Sequence, residues 1–254
     1  MRLKFVLALV TCLLMSFFFS GCSKTDYRTG LAAISVANDK ITGSSGRDLL
    51  TSASFSQLNI EIQYMTGFAP DAASLNNLTS FLNSLINKPG GIVISQKEIP
   101  AGNKVSYTID DIARIEQKNR TVFNSGNQLG VYVLITDGAY SDPSALGVAY
   151  RNTSLCLFGK TIFDNSSSIG QLSRTQLESA VAEHEFGHLL GLVDLGTPML
   201  TNHKDDAHGR HCNVKNCLMY YATETSDIFG MLFTGNVPTL DSQCLADLHA
   251  NGGK

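Results

Sequence analysis

The chain has 254 residues, of which 43% are hydrophobic and 16% are charged, and its formal net charge is -3. This length allows one large domain or two small ones, and the apolar content excludes a disordered chain. The near balance of 19 basic and 22 acidic residues excludes a nucleic-acid-binding surface built on charge. The charged fraction lies below the roughly 25% that is usual in globular domains. Exported proteins often show this feature.

The N-terminus has the layout of an export signal. A basic start, Met1–Lys4, precedes an apolar run from Phe5 to Phe19, which ends in Ser20-Gly21-Cys22. This run is too short to cross a membrane as a helix. The end of the run resembles a bacterial lipobox, which implies cleavage before Cys22 and acylation of that cysteine. We therefore expect a signal peptide over residues 1–21, a lipid-anchored tether over 22–56, and an exported chain attached to a bacterial membrane. The alternatives are an ordinary secretory signal with a chance cysteine at position 22, or an uncleaved anchor.

Residues 57–254 are predicted to form one folded domain of the α/β class. Alternating apolar residues predict a strand over Leu58–Tyr64, and leucines at three- and four-residue steps predict a helix over Asp71–Ile86. Further predicted elements are a strand over Ile92–Ser95, a helix over Ile109–Val122, and strands over Leu129–Thr136, Gly147–Tyr150 and Ser154–Phe158. The near-continuous apolar run of Leu129–Thr136 indicates a strand buried on both faces.

A long helix follows these strands. Ser173 and Gln176 fit a capping box, so the helix should begin near Arg174. Gly191 provides a plausible end. Apolar residues surround the central turns of this helix, which favours a semi-buried position.

This helix carries the motif His184-Glu185-Phe186-Gly187-His188. Residues four apart share one face of a helix, so both histidines can direct a ring nitrogen at one metal ion about 2.0–2.1 Å away. Glu185 lies where a carboxylate can take a proton from a metal-bound water. The motif predicts metal-assisted peptide hydrolysis, while two surface histidines on an amphipathic helix are the alternative.

The segment His184–Asp194 resembles the extended zinc motif of the metzincin clan of metallopeptidases, and Met219 matches their methionine-containing turn. The resemblance implies a metzincin-like zincin fold: a twisted mixed sheet with an antiparallel edge strand, an active-site helix and a small C-terminal subdomain. The N-terminal subdomain would span residues 57–191 and the C-terminal one 192–254. Gly147–Tyr150 would be the edge strand that pairs with substrate. Tyr221 matches an oxyanion-stabilising tyrosine of some metzincins, with ordinary packing as the alternative.

The third zinc ligand is open between several residues. Metzincin spacing points to Asp194. The stretch His211–Met219 resembles archaemetzincins, whose corresponding histidine is the third ligand, and also membrane-associated metalloproteases of the Bacteroidetes. This resemblance favours His211, placed after an insertion over Thr197–Arg210. The insertion adds His203 as a further candidate.

Four cysteines remain in the mature chain: Cys156, Cys212, Cys217 and Cys244. In an oxidising compartment, we expect them to form two disulfides. Three connectivities are possible, and the pairing 212–217 with 156–244 is preferred. In archaemetzincins, a Cys-x-x-Cys motif further along the chain binds a second zinc ion. In the corresponding region of this chain, Cys244 is the only cysteine. A second, structural zinc site is therefore not expected.

The resemblance implies a membrane-tethered, monomeric zinc endopeptidase with one catalytic Zn²⁺ and peptide or protein substrates. In this hypothesis Glu185 deprotonates a zinc-activated water and later protonates the leaving amine. One alternative is a catalytically inactive zinc-binding surface lipoprotein used for adhesion or partner binding. Another is a structural lipoprotein in which the motif is fortuitous.

Overall fold

A five-stranded sheet lies at the centre of the molecule, which a computed structural model describes over residues 36–166, 173–230 and 237–254. The strands are β1 (Gln57–Met65), β2 (Ile92–Ile99), β3 (Ser106–Tyr107), β4 (Gln128–Ile135), β5 (Ala139–Tyr140), β6 (Gly147–Arg151) and β7 (Ser154–Leu157). The central sheet has the order β2-β1-β4-β7-β6, while β3 and β5 pair separately. Neighbouring strands are parallel except β6, which runs antiparallel to β7 at one edge. The predicted α/β fold with an antiparallel edge strand is confirmed.

Helices cover the sheet. They are α1 (Gly46–Leu50), α2 (Ala72–Leu85), α3 (Ile109–Asn119), α4 (Gly159–Asp164), α5 (Arg174–Leu189) and α6 (Ser242–Ala250), with 3-10 helices over Tyr221–Glu224 and Ser226–Gly230. Helix α2 begins where the sequence predicts, because the side chain of Asp71 accepts a hydrogen bond from the Ser74 N–H. Its buried face, which includes Leu78 and Leu82, joins the main hydrophobic core.

Two predicted elements differ in length from the observed ones. Strand β2 continues four residues beyond Ser95, because it pairs with β1 along its whole length. Helix α3 ends at Asn119, three residues before Val122. The chain becomes extended at Arg120, whose buried guanidinium binds the Glu116 carboxylate and the Gly130 carbonyl at 2.7 and 2.9 Å. The pairing of β2 with β1 and the contacts of Arg120 join distant parts of the chain, so the local sequence pattern does not predict them.

The prediction of a tether over residues 22–56 is wrong for residues 36–56. Asn38 is buried and donates to the Thr153 hydroxyl at 2.8 Å, and both Leu49 and Leu50 lie in the core. The Lys88 ammonium donates to three backbone carbonyls in the segment 48–55. Residues 36–56 are thus part of the folded domain, held by core packing and hydrogen bonds that their Ser- and Gly-rich composition does not reveal.

The predicted signal peptide and Cys22 lie outside the described residues. Among the helices of the described ranges, none is long and apolar enough to cross a membrane.

Candidate metal centre

Helix α5 carries the first two histidines of the site. Its N-terminus is the predicted capping box, in which Ser173 and Gln176 bond to each other's backbone N–H. Every residue from Leu177 to Leu189 is buried. At the other end Gly191 has φ +84°, and a Cβ there would lie 2.6 Å from the Thr197 nitrogen, so only glycine allows this turn.

Three imidazoles converge at this helix. The ring centroids of His184 and His188 are 4.8 Å apart, and those of His211 lie 5.3 and 5.2 Å from them. All three are buried, with exposed fractions of 0%, 6% and 8%. The structure thus brings His211 to the pair that the helical motif predicts.

Backbone carbonyls fix the orientation of two of these rings. His184 Nδ1 lies 2.7 Å from the Leu218 carbonyl, and His211 Nδ1 lies 2.7 Å from the His208 carbonyl. Because a carbonyl only accepts, each Nδ1 must carry the proton. The Nε2 lone pair of each ring is then available to a metal ion.

A fourth group faces the three rings, and it is one that the sequence did not predict. The Glu224 carboxylate lies 3.5 Å from His184 Nε2, 3.7 Å from His188 Nε2 and 3.2 Å from His211 Nε2. The four donor atoms fall within 4.8 Å of one another. We call these four residues the histidine group.

The donor set fits a metal ion. His184 Nε2, His211 Nε2 and both carboxylate oxygens of Glu185 are buried without a hydrogen-bond partner. Several unsatisfied polar atoms in one buried place are rare in proteins unless an ion or water satisfies them. Three imidazoles with a carboxylate are donors that suit zinc.

The electrostatics differ among the groups of the site. Burial lowers the pKa of His211, but the contacts with Glu224 outweigh it and raise the pKa above its usual value. Burial lowers the pKa of His188 to about 4, so this ring is neutral at pH 7. Burial, reinforced by Glu224, raises the pKa of Glu185 well above its usual value. For Glu224 burial acts in the same direction, but the contacts with the three histidines outweigh it and hold the pKa well below its usual value.

The predicted methionine turn packs beneath the histidines. Met219 is fully buried, and a Cβ added to Gly187 would overlap its sulfur atom. The second variable position of the His-Glu-x-x-His motif therefore holds glycine for a packing reason.

The antiparallel edge strand β6 lies directly against Glu185. A Cβ on Gly147, the first residue of β6, would come within 2.7 Å of Glu185 Oε1. The Thr42 hydroxyl donates to the Ala149 carbonyl at 3.1 Å, so the N-terminal segment covers part of this edge. The predicted strand exists, and it is next to the predicted catalytic carboxylate.

Tyr221 lies beside the insertion loop. Its ring stacks on His208 with centroids 3.6 Å apart and planes 9° apart. His208 is paired with Asp205 at 2.7 Å and supplies the carbonyl that orients His211. The structure thus gives Tyr221 a packing contact, and an oxyanion role stays a prediction.

The two alternative third ligands lie outside the histidine group. The Asp194 side chain is 63% exposed and lies 3.8 Å from Lys204 Nζ. His203 is buried, with Nε2 at 2.7 Å from Asp247 Oδ2 and Nδ1 at 3.4 Å from Cys212 Sγ.

A second potential metal site lies next to His203. Its members, which we call the cysteine group, are Cys212, Cys217, Asp241 and Cys244, whose donor atoms are within 4.8 Å of one another. Backbone N–H groups of Met219 and Asp241 point at Cys217 Sγ, each at 3.4 Å. Donors of this kind favour a thiolate, and contacts with the two neighbouring thiols lower the pKa of Cys217.

The disulfide prediction is wrong. All four cysteines are free, and Cys156 belongs to a different hydrophobic cluster from Cys244, so these two cannot pair. The expectation that no second metal site exists took no account of Asp241, which lies with Cys212, Cys217 and Cys244 in a set of four possible donors.

Comparison with known proteins finds similarity at the level of structure. No family model matches the chain, and neither does any curated protein. Among solved structures, archaemetzincin from Methanopyrus kandleri superposes with a TM-score of 0.51 and 12% identity, over 77% of this chain and 96% of that one. The described chain therefore has an archaemetzincin-like fold, and this confirms the fold that the sequence resemblance implied.

A second solved structure is also similar. Metalloproteinase-II from Bacteroides fragilis gives a TM-score of 0.43 and 13% identity, with 80% of this chain matching 55% of that one. This similarity is too low to add to the assignment of the fold.

Proposed function

We propose that this protein is a zinc-dependent endopeptidase, attached to a bacterial membrane through a lipid on Cys22. One observation carries the enzymatic part: three imidazoles and Glu224 bring four metal-binding atoms within 4.8 Å of one another. Glu185, next to His184 in the helix, is buried against the edge strand with both carboxylate oxygens lacking a hydrogen-bond partner. The archaemetzincin-like fold supports the same reading. The signal-like residues 1–22 support the attachment.

His184, His188 and His211 would hold the zinc ion, which supplies a Lewis acid and lowers the pKa of a bound water to about 7. Glu185 is the proton carrier of the site. Its carboxylate is buried and binds a proton more readily than an exposed one. It can therefore accept a proton from water and deliver it to the leaving amine.

Strand β6 would position the substrate. An extended peptide can add to the free side of an edge strand through main-chain hydrogen bonds, which bind peptides with modest side-chain selectivity. Because Gly147 of β6 touches Glu185, a peptide bound along this strand passes close to the proton carrier.

The cysteine group fits a structural metal ion, which we include in the proposal. Its three sulfurs and one carboxylate form a complete set of four donors, as structural zinc sites require. The group also supports the site, because the Cys212 N–H donates to the Met219 carbonyl at 2.7 Å, next to His211. A zinc ion there would fix the segment that supplies the third imidazole.

Cleavage of a mixed peptide library tests the proposal. We expect the purified protein to cleave internal peptide bonds, to lose this activity with a chelator, and to regain it when zinc is added. Zinc binding without any cleavage would instead support the adhesion or partner-binding alternative. Absence of stoichiometric zinc would contradict both.

A further inference from the structure

The Glu224 carboxylate occupies the place where the three imidazoles point. It approaches all three Nε2 atoms, at 3.2 to 3.7 Å, and its side chain is a quarter exposed. The neighbouring Glu185, by contrast, has no contact with these nitrogen atoms among the described ion pairs. Glu224 is therefore the carboxylate that faces the metal-binding atoms.

These distances are those of a fourth ligand. In a tetrahedral zinc site with bonds of about 2.0–2.2 Å, two neighbouring donor atoms lie roughly 3.4 Å apart. The separations between Glu224 and the histidines scatter around this value. Oε2 lies near His184 and His188 and Oε1 lies near His211, so the carboxylate contacts all three imidazoles rather than pairing with one.

The backbone holds Glu224 in this position. Its carbonyl accepts from the Leu146 N–H at 2.7 Å, and the Ser226 N–H donates to the Ser144 carbonyl at 2.9 Å. A bridge between Ala145 and Thr225 completes this contact. The 3-10 helix that ends at Glu224 is thus docked on the residues that lead into β6.

We propose that Glu224 is a fourth protein ligand of the zinc ion and closes the site in the resting protein. This inference rests on the proposed zinc site of the histidine group. Catalytic zinc sites keep one position for water or substrate, so the Glu224 oxygen must leave as a water or carbonyl oxygen enters.

Cobalt substitution tests the inference without relying on cleavage. The visible spectrum of the histidine group is obtained as the difference between the Co²⁺-loaded protein and its His188→Ala variant. Azide is then titrated into the native protein, into Glu224→Gln and into Asp227→Asn. Asp227 is the matched control, because it is an exposed acid three residues away and loses the same charge.

We expect Glu224→Gln to bind azide at least about 10-fold more tightly and to hold Co²⁺ about 10- to 100-fold more weakly against a chelator, while Asp227→Asn matches the native protein. Glu224→Ala should behave as Glu224→Gln does, and circular dichroism verifies that both fold. Equal azide and Co²⁺ affinities in all four proteins would overturn the inference but leave the zinc site standing. A native protein whose cobalt spectrum is unchanged by His188→Ala would overturn the proposed function itself.

Discussion

The histidine group and the cysteine group are adjacent in the chain, at His211 and Cys212, yet they differ in how their donors are satisfied. In the histidine group, His184 Nε2 and His211 Nε2 are buried without a hydrogen-bond partner, and Glu224 is a quarter exposed. In the cysteine group, two backbone N–H groups point at Cys217 Sγ, and the carboxylate of Asp241 also caps α6. A site with unsatisfied donors can exchange ligands, whereas one whose donors are held by the backbone is suited to a fixed ion.

The largest effect should follow from His211→Ala, which removes one donor from the histidine group alone. We expect this variant to lose the ion of the histidine group. Its kcat/KM should fall by more than about 100-fold, because replacing a ligand should cost more than replacing a residue that only contacts a ligand, which costs about 10- to 100-fold. Metal analysis and a peptide-cleavage assay measure both quantities.

Asp194→Ala is the matched control for this prediction. Its side chain is exposed and outside the group, so metal content and activity should stay as in the native protein. If Asp194→Ala lost the ion and His211→Ala kept it, the assignment of the third ligand would be reversed.

A smaller effect, on stability, should follow from Cys217→Ser. The loss of one sulfur donor should release the ion of the cysteine group and lower the free energy of unfolding by at least about 3 kcal/mol, a fraction of what structural zinc contributes in small domains. Metal content and chemical denaturation provide the measurements.

Cys156→Ala provides the comparison for that variant. Cys156 lies in the other hydrophobic cluster, so its removal should leave the metal content unchanged. A mass of the native protein that indicated two disulfides, or metal loss in Cys156→Ala, would contradict the assignment of the cysteine group.

The smallest effect concerns the packing of helix α5 against Met219. Gly187→Ala places a methyl group against the Met219 sulfur, and such overpacking costs about 1–3 kcal/mol. Addition of Met219→Ala should recover part of the loss, which a double-mutant cycle measures. Strict additivity of the two changes would show that the contact is absent.

The sequence predicts the elements whose signals are local. The extent of α2, the cap of α5, the buried strand β4 and the pair His184 and His188 follow from periodicity, hydrogen-bonding side chains and helical spacing. The third imidazole was favoured only through resemblance, because its position depends on how an insertion folds.

The features that the sequence did not predict depend on contacts between distant segments. Glu224 stands in a 3-10 helix without a recognisable spacing from the histidines, and Asp241 resembles an ordinary helix cap. Residues 36–56 have the composition of a linker, but Lys88 and the core bind them. Disulfides were inferred from the compartment, whereas the geometry separates Cys156 from the other three cysteines.

The central claim is that Glu185 carries protons in a zinc-dependent cleavage of peptides. The most direct measurement is kcat/KM for one cleaved peptide with native protein, Glu185→Gln and Glu183→Gln, each at verified zinc content. We expect Glu185→Gln to retain zinc and to lose at least about 100-fold in activity, while Glu183→Gln, a neighbouring buried carboxylate, stays near the native value. Zinc-loaded Glu185→Gln with native activity would contradict the claim.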